Sequence, residues 1–236
     1  MNDWQRHRKR LDALRTAPYN FDPELRHAYT EQAGWHLDDY AADLPPEPPG
    51  PPLAHGSFAI ARRLMRDYAF PDPRLVTGIF VPDEPLSGRP MLLRARFLGF
   101  TFWFGVRLTE EIEELRGVGE AREHVWGYGY RTLEGHFERG EITFEVAKRE
   151  ATGAVAFRAH AYSQPDRIRN PFYRLGFRLF GRHLQRRFAR TAMARMQRFV
   201  REELEARRAG EVPAPRETVP VAPAGEASPE AAAQAS

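Results

Sequence analysis

The sequence predicts an α+β fold of helix-grip type, in which a curved antiparallel sheet packs on one long C-terminal helix. Two observations carry this. Residues 91–163 contain several runs alternating with period two, and 171–209 carry apolar residues at three- and four-residue steps. Neither part can bury its apolar surface alone, and laying the helix across the sheet satisfies both. Such a layout commonly leaves a cavity between helix and sheet.

The elements follow in order. Residues 1–16 read as a helix whose stripe of Trp4, Leu11 and Leu14 should pack on the main domain, over the sheet face bearing Trp103. Turn signals such as "APYNFDPE" fill 17–34, and "WHLDDYAADL" (35–44) reads as a strand. "PPEPPGPP" (45–52) is a stiff connector with few backbone donors. Residues 55–70 form a short amphipathic helix, with Ser57 as its cap, Pro71 and Pro73 as its stop, and Ile60, Leu64 and Tyr68 on one face.

Strands are expected at 74–81, in two pieces of 91–108 around Gly99, and at 123–132, 141–149 and 154–163. In the second piece Phe100, Phe102, Phe104, Val106 and Leu108 share one face, and Thr101, Trp103, Gly105 and Arg107 the other. "ERG" (138–140) and "EATG" (150–153) read as hairpin turns. Asn170 and Pro171 open the long helix, whose inward line is Tyr173, Phe177, Phe180, Leu184, Phe188, Ala192, Met196 and Phe199. The implied organisation is an N-terminal helical extension (1–34), a helix-grip domain (35–209) and a disordered low-complexity tail (210–236).

Of 236 residues, 42% are hydrophobic and 12% aromatic, enough for a sizeable core. Cysteine is absent, which excludes disulfides, thiolate metal sites and cysteine nucleophiles. "MNDWQRHRKRLDALR" has no apolar signal core, and no run is long and apolar enough to span a bilayer, so a cytoplasmic protein is expected. The formal charge is only +3, and the sole lysines are Lys9 and Lys148. Arginine codons are GC-rich, so genome composition can produce the same bias.

From Asn170 to Arg201 stand nine arginines and no acid. A four-residue repeat drifts about 40° per step on a helix. The stripe from Arg174 to Arg190 therefore winds around rather than forming one flat basic face. The arginines read first as the outward remainder of a packed helix, with the glutamates of "TEEIEEL" (109–115) available to offset them. Aromatics mixed with arginines leave room for peripheral contact with an anionic membrane. No groove-reading or RNA-binding motif accompanies the charge, so no specific nucleic-acid partner is expected.

"WGYGYRTLEGH", "AYSQP" and "RLGFRLFGRHLQRRFARTAMARM" resemble the hallmark stretches of a domain-of-unknown-function family, the one numbered nineteen-ninety, of bacteria and plants. The likeness spans roughly residues 35–201. It implies a fold similar to the START-like, Bet v 1-like superfamily, whose members bind sterols, lipids, polyketides or hormones and include some cyclases. Where the family pattern reads "TLPGH", this chain has Glu134, which puts a charge beside His136.

Two sets of residues stand out for chemistry. His124, Trp126, Tyr128 and Tyr130 share a strand face opposite Val125, Gly127 and Gly129. The glycines signal close approach by a packed element or by a ligand. Arg158, His160 and Tyr162 share a face with Ala154 and Ala156, opposite the core-like Val155, Phe157, Ala159 and Ala161, and Glu145 faces Arg158 across a hairpin. Both sets read first as packing or solvated surface. Read as function, Trp126, Tyr128, Tyr130, His160 and Tyr162 line a pocket and Arg158 meets an anionic head group. His136 and His160 are the candidate bases for catalysis. No metal site, cofactor fingerprint or catalytic motif is present in the sequence.

These residues suggest a carrier of a hydrophobic or amphipathic small molecule or lipid. The alternatives are a cyclase- or hydrolase-type enzyme in the same cavity and a membrane-surface or scaffold protein. Ligand identity and oligomeric state are not encoded legibly.

Overall fold

The computed structural model describes residues 2–97, 100–166 and 171–210, with the side chains of Phe97 and 171–180 left aside. The chain runs α1 (Asp3–Arg6), α2 (Arg8–Leu14), β1 (His36–Leu44), α3 (Ser57–Arg66), β2 (Val76–Ile79), β3 (Pro90–Phe97), β4 (Phe100–Leu108), β5 (Ile112–Arg116), β6 (Glu123–Thr132), β7 (Glu138–Arg149), β8 (Val155–Pro165) and α4 (Pro171–Arg208). The strands form one antiparallel sheet in the order β1-β8-β7-β6-β4-β3-β2, with β5 also paired to β6. With α4 laid on it, this is the helix-grip arrangement that the alternation predicts.

Strand register decides which side chains face the helices. Tyr128 pairs with Phe144, which pairs with Ala159, which pairs with Tyr40. These residues share the inner face. It is packed by α3 residues Ile60, Leu64 and Met65, by Phe70, and by Ala192, Met196 and Val200 of α4. The expected inward positions Ala192, Met196 and Phe199 are buried, whereas Leu184 and Phe188 are half-buried. Asn170, Gly99, the side chains of Tyr173, Phe177 and Phe180, and the tail from residue 211 lie outside the described residues. A carboxylate shared between helices fixes their contact: Glu203, buried, bonds Arg63 of α3 and accepts from Arg207 at 3.0 Å.

The N-terminal helix is two short helices that meet at His7. Leu11 packs with Ile79 and Leu92, flanked by Trp4, Leu14, Val81 and Trp103, so the segment covers the outer face of β3 and β4. Further along, Phe21, Tyr29 and Trp35 gather around Tyr162 on the same side.

Several sequence expectations need correction. The helix expected over 55–70 ends at Arg66, and Ser57 does not cap it. Ser57 Oγ donates to Pro45 O at 2.6 Å, and the Phe58 amide is capped instead by Glu47 Oε1 at 2.8 Å. "ERG" is no turn. It opens β7, and the reversal occupies Leu133–Phe137. "TEEIEEL" contributes β5, an edge strand whose charged side chains hide its periodicity. Among the described residues two of its glutamates serve α3 and none pairs with α4: Glu111 and Glu113 pair with Arg62, and Glu111 also with Arg66, while Glu114 pairs with Arg116 of β5 itself.

Candidate functional site

Side chains alternate across a strand, and this splits the six expected ligand residues into two sets of three. Trp126, Tyr128 and Tyr130 face inward, while Arg158, His160 and Tyr162 point to the outer side of β8. The expectation that all six line one pocket is therefore corrected, because the thickness of the sheet separates the sets.

The outer three each have a partner there. The Arg158 guanidinium donates to both oxygens of Glu123, at 2.9 and 3.0 Å. Glu145, opposite it in register, instead accepts from Arg116. His160 Nδ1 lies 2.6 Å from Asp39 Oδ1, and Tyr162 donates to Glu141 Oε2 at 3.1 Å. Burial, with the Glu141 charge beside it, drives the Tyr162 phenol well above its ordinary range.

Of the inner three, Trp126 and Tyr128 are fully buried and bonded, to Glu111 Oε1 at 2.5 Å and Met65 O at 2.6 Å. The close approach that the glycines permit is by protein backbone. A Cβ on Gly127 would lie 2.3 Å from Phe144 O, so the close approach is that of β7 itself. Tyr130 differs. It keeps some exposure, burial pushes its hydroxyl up to about 12, and the Glu138 charge adds to that rise.

Around Tyr130 the inner face loosens. Phe70, Phe144 and Phe157 are almost wholly buried toward α3, whereas Tyr40, Phe104, Ile142 and Phe188 are only half-buried. At this looser end stand His136 and Glu138. Glu138 Oε1 accepts from Gln185 Nε2 of α4. Arg182, one turn earlier on α4, commits its fork to Asp38 of β1, with Nη2 to Oδ1 at 2.7 Å. The Glu138 amide donates to His136 Nδ1 at 3.0 Å, leaving the proton of the neutral ring on Nε2. The ring sits 4.5 Å from that of Phe104.

Both titratable groups keep a thin exposed rim but are closely ringed by protein atoms. Desolvation moves them toward neutrality from opposite sides: Glu138 rises to about 7 and His136 falls to about 4. A carboxyl that exchanges its proton near neutral pH, beside a neutral imidazole, can hydrogen-bond a ligand or move a proton. Glu134, by contrast, is exposed. Sequence reasoning singled out Tyr130 and His136 but missed Glu138, Gln185 and Asp38. Among the described residues no three His, Asp or Glu side chains could hold a metal ion, and no helix is long and apolar enough to cross a membrane.

The family model "Domain of unknown function (DUF1990)" matches residues 24–195. The chain belongs to the DUF1990 family. In this DUF1990 protein the matched span begins inside the segment read as an N-terminal extension and takes in every strand and the first two-thirds of α4. No curated protein matches the sequence. Solved structures similar to it include Ara h 8.0201 (12% identity, 72% of this chain and 99% of that one, TM-score 0.39). TTHA0849 from Thermus thermophilus is another (11%, 71% and 97%, 0.41), as is ginseng major latex-like protein 151 from Panax ginseng (11%, 73% and 97%, 0.33). These likenesses bear on neither ligand nor reaction.

Proposed function

We propose that this DUF1990 protein binds a hydrophobic or amphipathic small molecule between the sheet and the first half of α4. The observation behind this reading is the contrast along the inner face, tightly filled toward α3 and half-buried at Tyr40, Phe104, Ile142 and Phe188, with Tyr130 and Glu138 supplying polar atoms. Apolar walls with a few convergent polar groups are what small-molecule sites consist of. Nile red fluorescence tests it. The wild type should bind the dye, and Ile142→Trp, which fills the proposed seat, should bind it at least tenfold more weakly with an unchanged circular dichroism spectrum. Equal binding by both proteins would refute the site. Catalysis in the same seat would fall to Glu138 and His136, because His160 stands on the other side of the sheet.

A second reading has its own observation. Arg186, Arg187, Arg190, Arg198 and Arg201 are exposed and fall within about 120° of one another around α4, given about 100° per residue. Of these, only Arg198 has an acidic partner among the described residues, Glu202 at 3.6 Å. The winding of the stripe thus stops where Arg182 turns inward to Asp38. Such a face suits an anionic membrane surface. Sedimentation with phosphatidylserine vesicles should be strong at low salt and lost at high salt. Binding that ignores lipid charge would exclude it.

A further inference from the structure

Among the described residues Glu138 makes no ion pair, and the cation whose charge reaches it, Arg182, is shared with Asp38. Each neighbour facing it is either neutral or already engaged. From α4, Gln185 donates a neutral amide, and Arg182 is held by Asp38 of β1. From β6 comes the Tyr130 phenol, and beyond it the buried, uncharged phenol of Tyr68, which interacts with that of Tyr130. On its own turn stands His136, neutral down to about pH 4. Asn20, from the N-terminal segment, bonds the Glu138 carbonyl oxygen at 2.8 Å and leaves the carboxyl alone. When Glu138 ionises, the described residues of the patch therefore carry, beside the Arg182–Asp38 pair, one further negative charge at the end of an apolar wall.

We propose that Glu138 is the polar anchor of this seat, and that the seat takes an amphiphile whose head is a protonated amine and whose tail lies along Ile142, Phe104 and Phe188. This rests on the binding function proposed above and adds the ligand's chemical class. A carboxylate or phosphate head meets Glu138 as a like charge. An alcohol head can bond Tyr130 but leaves the charge unanswered. An ammonium supplies the missing countercharge, and the rings of Tyr130 and Phe104 offer it π faces. Because the cation binds the ionised carboxyl, binding expels the proton from whatever fraction of Glu138 still carries it. Amine affinity therefore falls about tenfold per pH unit below the Glu138 midpoint and levels off above it.

Calorimetry with decylamine, decanol and decanoate separates the claims, since the three share a tail and the amine stays charged across the range used. On the wild type, decylamine should bind tightest at about pH 8 and about a hundredfold more weakly at about pH 5, with decanol independent of pH and decanoate weakest. Glu138→Gln should erase the amine preference and its pH dependence while leaving decanol binding unchanged. If decanol binds as well as decylamine at every pH, or if Glu138→Gln leaves the amine profile intact, the anchor is wrong although the seat stands. If none of the three binds, both the seat and the anchor fail.

Discussion

The Lys148 ammonium lies 2.9 Å from Glu47 Oε2, and both side chains are buried. Lys148 also donates to Pro51 O at 2.8 Å, while Glu47 accepts from the Leu53 and Phe58 amides. One ion pair thus fastens the proline-rich connector to β7 and starts α3. Removing one partner leaves a buried charge, a change that typically costs about 3–5 kcal/mol. Glu47→Ala should lose that much in urea unfolding. A loss under about 1 kcal/mol would show that the pair does not hold the connector.

Gly153, in the turn between β7 and β8, tests the same joint from the other side. Its φ is +71°, and a Cβ there would sit 1.8 Å from Glu47 O. Its amide and carbonyl are both bonded, the carbonyl to the Glu47 amide at 2.9 Å. Gly153→Ala should destabilise by at least about 1–3 kcal/mol, from backbone strain plus displacement of the connector. Unchanged thermal stability would contradict the close approach.

Leu11 is fully buried between the N-terminal helix and β2–β3. Leu11→Ala should cost about 2–5 kcal/mol, read by chemical denaturation. A deletion of residues 1–16 with unchanged stability would show that the helix does not belong to the fold's core.

Stability against pH carries a signature of the candidate site. Glu138 titrates at about 7 when folded, against 4.5 ordinarily, so the unfolded chain binds fewer protons between those values and stability falls as pH rises through them. His136 titrates at about 4, against 6.5, so stability rises with pH between about 4 and 6.5. In the wild type the two slopes oppose each other. Glu138→Gln should expose the rise, and His136→Asn, whose amide oxygen can still accept the Glu138 N–H, should expose the fall. Each change amounts to about 2–3 kcal/mol after allowing for the partly exposed rims. Parallel stability profiles for wild type and both variants would contradict the desolvated pair.

What the sequence made legible follows from where its information sits. Alternation over Phe100–Leu108 is local, and it gave both the strand and its faces. The apolar spacing from Phe188 to Phe199 gave the inward side of α4 in the same way. The two-face split of Trp126–Tyr130 and Arg158–Tyr162 was only half legible: the core-like Val155, Phe157 and Ala159 marked the inward face of β8, but period two does not tell that the aromatic face of β6 lies on the opposite side of the sheet from Arg158, His160 and Tyr162. β5 was hidden by glutamates that belong on an edge. Glu138 was hidden more deeply: a glutamate in "ERG" reads as a turn, and its burial depends on Gln185 and Asp38, far away in sequence. The buried Lys148–Glu47 pair is likewise a long-range fact that neither residue's neighbours disclose.

The central claim is that the loosened end of the inner face holds a small molecule. Native mass spectrometry of the protein purified from its own host tests this most directly. The wild type should carry a dissociable apolar or amphipathic ligand that is absent from Ile142→Trp. The same ligand increment in both, or no increment in either, would contradict it.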